Sequence, residues 1–352
     1  MPETIAFVEQ VRTAGPAARA ALRTIRADPG RVTTLRLGGW FRHPWRRRLL
    51  LAGLIRVAAP VLALAARLGS RAGALAAEAA YWRAVRAQAT AAEWQRLTRS
   101  SYVALYYHRL AGEFKPGQER LDLAPEHFSA QLRLLRRLGF TALSPGDLIA
   151  FHAGDRAALP RRAFVVTVDD GFQDCVGPLA AHADCHPQLF VPTDEVGGHA
   201  WWAADEPVAG WDELRSLSAA GVGIGSHSNS HHPLDQLDAE TLRAALEGSR
   251  QRLGVELGFP PAILAYPHGR RDDRVVGVAR ECGFQLAFTT EPGRNGWGTD
   301  SLQLRRIGVK SWDTAASLLF KVLTGEHLPP RWERRLARSS HPGSARPGPA
   351  PA

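Results

Sequence analysis

The chain has 352 residues, 45% hydrophobic and 22% charged, which excludes a disordered protein and leaves room for one large domain with additions, or for two. Its formal net charge is +10 and is carried almost wholly by arginine, Lys115, Lys310 and Lys321 being the only lysines. That balance suits an anionic membrane surface or a phosphate-bearing substrate, and no motif points to nucleic acid as a partner.

Residues 1–30 are polar and rich in alanine and arginine, and read as a helix of no clear role. Nothing in them has the pattern of a secretory signal. An apolar run, Leu49 to Leu68, follows Arg46-Arg47-Arg48 and is interrupted by Arg56 and Pro60. A central arginine costs about 2.5–3.5 kcal/mol on insertion scales, which disfavours a clean transmembrane span. A helix lying on the inner leaflet and a helix packed on the catalytic domain are both open readings. Residues 74–99 continue as an Ala-rich helical stretch carrying Trp82 and Trp94.

From about 101 to 325 strands and helices alternate. The predicted strands are Val103–Tyr107, Thr141–Leu143, Phe164–Val168, Gln188–Val191, Val222–Gly225, Ile263–Tyr266, Leu286–Thr289 and Leu304–Val309. A helix over Pro125–Leu138 stops at Gly139. Asp238 caps a second, with Leu242, Leu246 and Leu253 on its apolar side. A third covers Asp272–Cys282, and Trp211 opens another. Seven or eight mainly parallel strands alternating with helices give an α/β fold, and the lack of a Gly-rich phosphate loop after the first strand favours a distorted (β/α) barrel. Residues 1–100 are then a basic helical extension, and 326–352 a basic, disordered tail rich in Pro, Gly, Ser and Ala. The cysteines Cys175, Cys185 and Cys282 are odd in number and lack C-x-x-C spacing, so neither a disulfide framework nor a thiolate metal site is expected. A reducing, cytoplasmic setting follows, with a peripheral place on the inner face of the membrane as the further expectation.

Chemistry in barrels gathers at the C-terminal ends of the strands. Asp169 and Asp170 follow Val168 there. The run Ser226-His227-Ser228-Asn229-Ser230-His231-His232 follows Gly225, Tyr266-Pro267-His268-Gly269 follows Ala265, and His108 follows Tyr107. Side-by-side carboxylates repel, so one of the Asp pair must be matched by a cation or a proton. Together these are the residue types of a His/His/carboxylate metal site with open coordination positions. Asp170, His227 and His231 are the candidate ligands, and Asp169 is left as the base. Each element alone has a plainer reading: Asp-Gly is a common turn, and a lone histidine is more often structural.

Three segments carry a resemblance. Thr167-Val168-Asp169-Asp170-Gly171-Phe172 resembles the first motif of the polysaccharide deacetylase family (NodB-homology, carbohydrate esterase family four). His227-Ser228-Asn229-Ser230-His231 is similar to its second motif, and Ala265-Tyr266-Pro267-His268-Gly269 to a version of its third. Tyr107-His108 and Trp201-Trp202 also resemble members, and the similarity runs from about 102 to 310. The resemblance implies a distorted barrel, a divalent metal (most often zinc) and removal of an N-acetyl group from an amino sugar. Asp169 then corresponds to the general base and Asp170, His227 and His231 to the ligands, with His232 as the alternative third ligand.

Two parts of the family pattern are missing. The arginine that holds the base carboxylate is absent from the Tyr266-Pro267 version, and Arg306 is the candidate substitute. The leucine–x–histidine that supplies the general acid has no clear match; His327 stands too far beyond the last strand, leaving His268 and His108. Trp201 and Trp202, with His199 in the same loop, are expected beside the sugar, together with Tyr266, Pro267 and Arg306, although two tryptophans can equally anchor a long loop. The leading expectation is a metal-dependent deacetylase acting on a glycan or lipid-linked saccharide. A hydrolase of non-sugar amides and a degenerate glycan-binding module of envelope assembly are the alternatives. The sequence leaves the oligomeric state open.

Overall fold

A computed structural model describes residues 101–112, 122–154, 159–160, 162–203, 206–296, 299–328, 333 and 336. The expected 1–100 extension with its apolar run 49–68, and nearly all of the 326–352 tail, lie outside the described residues. Among the described residues no helix is long and apolar enough to cross a membrane. The chain divides into two compact units. One is Met1–Ser101 with Phe151–Arg161 and Gly296–Thr299, and the other is Tyr102–Ala150, Arg162–Asn295 and Asp300–Ala352. The second unit holds every site residue treated below.

The strands are β1 (Ser101–Tyr107), β2 (Thr141–Ala142), β3 (Ala163–Val168), β4 (Gln188–Val191), β5 (His199–Ala200), β6 (Glu206–Pro207), β7 (Gly223–Ser226), β8 (Ile263–Ala265), β9 (Leu286–Phe288), β10 (Asn295–Gly296) and β11 (Ile307–Gly308). The helices are α1 (Pro125–Arg137), α2 (Pro145–His152), α3 (Val176–Ala180), α4 (Trp211–Ala219), α5 (Ala239–Leu257), α6 (Asp273–Glu281) and α7 (Ala315–Thr324). One curled sheet runs β10-β1-β3-β4-β7-β8-β9, with β2 on β3 and β11 on β1, while β5 and β6 form a separate antiparallel hairpin. The β1–β3, β3–β4, β4–β7, β7–β8, β8–β9 and β1–β11 pairs are all parallel. All eight predicted strands are present, several of them shorter or shifted by a residue; β10 adds one more to the sheet, and the β5–β6 hairpin adds two outside it. Leu304 bridges in parallel to Phe288 of β9, and Ile307 and Gly308 pair with β1. One stretch of chain thus joins the two ends of the sheet, giving the distorted (β/α) barrel expected from the alternation.

β3 is Ala-Phe-Val-Val-Thr-Val with every residue buried, the pattern of a parallel strand covered on both faces. α5 begins where the Asp238 carboxylate accepts the backbone N–H groups of Glu240 and Thr241, and ends at Gly258 with φ 83°. Asp272 caps α6 through the N–H of Val275. Beneath α7, the buried Lys321 ammonium donates to the Gly308 carbonyl at 2.8 Å and pairs with Asp313. That pair fixes the end of β11 close to the functional rim.

Gly171 turns the chain after β3 at φ 70°, and a Cβ there would lie 2.5 Å from Val191 Cγ1. Gly177, inside α3, has nothing within 4 Å of such an atom. Gly171→Ala should therefore lower stability by about 2–4 kcal/mol in urea unfolding, through overpacking and a disfavoured φ. Gly177→Ala should be neutral or stabilising by up to about 1 kcal/mol.

Candidate active site

Strand register sets the level of the site. The Asp169 N–H donates to the Tyr107 carbonyl at 3.0 Å, so His108 and Asp169 leave neighbouring strands side by side. The His227 N–H donates to the Val191 carbonyl at 2.9 Å, bringing the next strand end to the same rim. The turns that follow are strained. Asp170 (φ 73°), Ser228 (φ 62°), His231 (φ 62°) and His268 (φ 57°) have left-handed backbone, and the only other described non-glycine residue with positive φ is His186. Each costs on the order of 1 kcal/mol, and strain gathered in one place is a mark of function.

The two carboxylates face different partners. Asp169 is 3% exposed and takes a bidentate grip from Arg306: Nη1 to Oδ1 at 2.6 Å and Nη2 to Oδ2 at 2.7 Å. Arg306 is wholly buried. Its Nε donates to the Thr289 carbonyl at 2.8 Å, its Nη1 also donates to Thr167 Oγ1 at 3.1 Å, and its guanidinium lies 4.8 Å from the centre of the Tyr106 ring. Thr167 in turn donates its hydroxyl to the Leu105 carbonyl at 2.9 Å. Burial pushes the Asp169 carboxyl up, but the Arg306 charge outweighs it with help from His227, and the group is held below its ordinary range. Asp169 is thus an oriented anion.

Asp170 faces two imidazoles. Its Oδ1 lies 3.4 Å from His227 Nε2 and 3.1 Å from His231 Nε2. One donor atom from each of the three residues falls within 4.8 Å of the others, and all three residues are buried. His227 Nδ1 is 2.7 Å from the Ala265 carbonyl, which fixes the proton there and turns the Nε2 lone pair inward. Burial works against charge on Asp170, but His231 and His227 hold its carboxyl well below the carboxylate range. Burial also works against charge on both imidazoles. His227 is nonetheless raised by its contact with Asp170, whereas His231 stays lowered. Two imidazole nitrogens and a carboxylate oxygen that converge at this spacing fit a divalent cation.

The remaining predicted residues separate into those at the rim and those beneath it. His232 is exposed, its ring 4.8 Å from that of Trp201, and it stands outside the Asp170 cluster that holds His231. His108 is half-buried at the end of β1, close enough for its charge to act on both Asp169 and Asp170. His268 is exposed on the other flank, with its ring centroid 4.6 Å from that of His231. Burial on its inner side, with His231 and His227 nearby, brings it down to about 4. Pro267 is buried and opens the 3-10 turn that presents His268. His327 sits among Lys321, Lys310 and Glu333, and is lowered to about 4 by burial and those lysines.

Of the five expected sugar contacts, Tyr266, Pro267 and Arg306 are buried, Trp202 is half-buried and Trp201 is exposed. Tyr266 is fully buried and its hydroxyl donates to the Leu302 carbonyl at 3.0 Å, because its ring packs into the cluster between α5, α6 and β8. Arg306 lies under Asp169 and presents no surface to a ligand. Trp202 stacks on His231, while Trp201 is 53% exposed and donates its indole N–H to the Ser230 carbonyl at 3.2 Å. His199 is exposed on β5. Sequence reasoning missed Thr167 and Thr289 as supports of Arg306; the one hydroxyl in the otherwise apolar β3 was the available signal. It also missed Arg109, next to His108. That buried guanidinium meets Asp174 at 2.9 Å, Glu206 at 3.3 Å and Asp122 at 3.4 Å, and so ties the β5–β6 hairpin to the end of β1.

Residues 156–287 match the polysaccharide deacetylase family. Over that segment the chain resembles a polysaccharide deacetylase domain. Its class is that of hydrolases acting on carbon–nitrogen bonds other than peptide bonds. YxkH of Bacillus subtilis (strain 168), assigned to the polysaccharide deacetylases, is 22% identical over 208 residues, 58% of this chain and 70% of that one. The poly-beta-1,6-N-acetyl-D-glucosamine N-deacetylase of Escherichia coli (strain K12) is 23% identical over 237 residues, covering 55% of this chain but only 34% of that enzyme. Among solved structures, the Streptococcus pyogenes deacetylase PplD in complex with acetate superposes with a TM-score of 0.56 at 21% identity, over 64% of this chain and 99% of that one. IcaB from Ammonifex degensii gives 0.55 at 24% identity, over 64% and 97%. Those likenesses establish the fold.

Arg306→Met should leave the Asp169 carboxylate buried without its counter-charge, costing about 3–5 kcal/mol of stability near neutral pH. In the parent the lowered Asp169 adds stability above the ordinary carboxylate pKa, and this is lost as pH falls through its folded value. Without Arg306, burial raises the group instead, so the penalty is present at neutral pH and relieved as pH falls through the raised value. Urea midpoints of parent and variant should therefore converge as pH is lowered toward about 4.

Proposed function

We propose that this chain is a metal-dependent deacetylase removing an N-acetyl group from an amino sugar in a glycan or lipid-linked saccharide. The observation that carries the reading is the division of the Asp pair, with Asp169 gripped by Arg306 and Asp170 facing His227 and His231. Asp170, His227 and His231 would hold the cation, for which zinc suits the N,N,O donor set. When bound, such an ion acidifies water and polarises an amide carbonyl. Asp169 accepts the proton of the attacking water, and Arg306 keeps it ionised and aimed. His108 and His268, on opposite flanks of the carboxylates, are the two candidate donors to the departing amine. Trp201 offers an exposed aromatic face at the rim, suited to the apolar face of a sugar ring.

The E. coli relative's substrate supports an N-acetylglucosamine polymer as the substrate class. The apolar run 49–68 behind three arginines favours lipid-linked or nascent envelope glycans met at the inner membrane surface. Trp201 weighs against a non-sugar amide, and the assembled triad weighs against a degenerate binding module.

Acetate release from N-acetylglucosamine oligomers and lipid-linked saccharides tests the proposal. Metal-loaded protein should release acetate, and Asp169→Asn should lower turnover by about 10²–10⁴-fold. The donor is whichever of His108→Ala and His268→Ala lowers kcat more than it changes KM. Failure of the metal-loaded parent to release acetate from any such saccharide would overturn the assignment.

A further inference from the structure

The three candidate ligands are not held in the same way. His227 has its outer nitrogen tied to the Ala265 carbonyl at 2.7 Å. His231 Nδ1 is buried and has no hydrogen-bond partner among the described residues. A ligating histidine is ordinarily oriented by a hydrogen bond from that nitrogen, and losing such a support typically weakens metal binding about 10–100-fold. The support must come from a side chain packed on the ring of His231, whose backbone is in the left-handed region at φ 62° with its N–H donating to Ser228 Oγ at 3.3 Å.

Of its ring neighbours, His268 meets it edge-on at 4.6 Å and His227 at a tilt at 4.9 Å, while Trp202 lies face to face with it. The two rings stack with centroids 4.0 Å apart and planes inclined by 20°. Trp202 belongs to the turn between β5 and β6 and packs against the main core, so it forms a fixed wall. Its own indole Nε1 is buried without a partner among the described residues. An unmet donor of that kind is costly, so the position is held for its ring face and not for its polarity. Trp201 stands edge-on to it at 5.6 Å and 84° and closes the outer side. The hairpin that carries both rings is fastened at its base by Arg109 to Glu206.

We infer that Trp202 is a positioning residue for the metal site: its indole face, stacked on His231, does for the third ligand what the Ala265 carbonyl does for His227. The inference rests on the metal-site reading of Asp170, His227 and His231. It gives the two adjacent tryptophans separate tasks, Trp202 orienting a ligand and Trp201 facing solvent.

Cobalt(II) is the probe, titrated into metal-free full-length protein against a competing chelator and read by visible absorption. The parent should show a band that His227→Ala abolishes. Trp202→Leu should weaken cobalt binding by about 10–100-fold and change the band. Trp202→Phe, which keeps a stacking face, should stay close to the parent in both. If Trp202→Leu does not fold, Trp202→Met carries the same expectation, since it fills space without an aromatic face. A folded Leu or Met variant with the parent's cobalt affinity and band would overturn the inference and leave the metal site standing. A parent whose cobalt signal is absent, or unaffected by His227→Ala, would overturn the metal-site reading and this inference with it.

Discussion

Two carboxylates adjacent in sequence and buried at 3% exposure each can stay ionised only if each has its own source of positive charge. Most of the rim can be understood as the solution to that constraint. Asp169 is answered by a guanidinium arriving from beyond β9, and Asp170 by two imidazoles from the loop after β7. The left-handed φ of Asp170 is what lets neighbouring side chains point to different partners. With regular strand backbone they would lie on opposite faces of the sheet, one of them far from the rim.

The same constraint explains why barrel closure matters for chemistry. The stretch Leu304–Gly308 reaches both ends of the sheet, and Arg306 lies in its middle. Its guanidinium is buried among Tyr106, Phe190 and Phe288, where an unpaired charge would be strongly unfavourable. Asp169, Thr167 and the Thr289 carbonyl make that burial tolerable. Closing the barrel therefore also delivers the counter-charge of Asp169. In the proposed role as base, a carboxylate held this firmly would be a well-aimed but modest proton acceptor, which would place more of the demand on activation of the water by a cation.

Much of this was legible in the sequence. The eight strands announced themselves as short apolar, β-branched runs, and α5 and α6 by the capping aspartates Asp238 and Asp272. The cluster of Asp170, His227 and His231 could be read because motif residues close in sequence fall at strand ends. What could not be read depended on approach between distant segments. Trp202 and His231 meet only because a two-residue-stranded hairpin folds over the β7 loop, and strands that short leave no periodicity. Tyr266 looked like a groove residue, yet its ring found the core and its hydroxyl a backbone carbonyl. Arg306 was visible as an arginine in an apolar strand, but its bidentate grip needs the closed barrel. The helical, membrane-facing reading of residues 1–100 lies outside the described residues and rests on the sequence.

The proposed mechanism divides the Asp pair between a base and a ligand. Metal content of purified parent, Asp169→Asn and Asp170→Asn, measured side by side after zinc loading, tests that division. Metal should be stoichiometric in the parent and in Asp169→Asn, and lost in Asp170→Asn. Equal metal in all three, or equal loss in both variants, would contradict it.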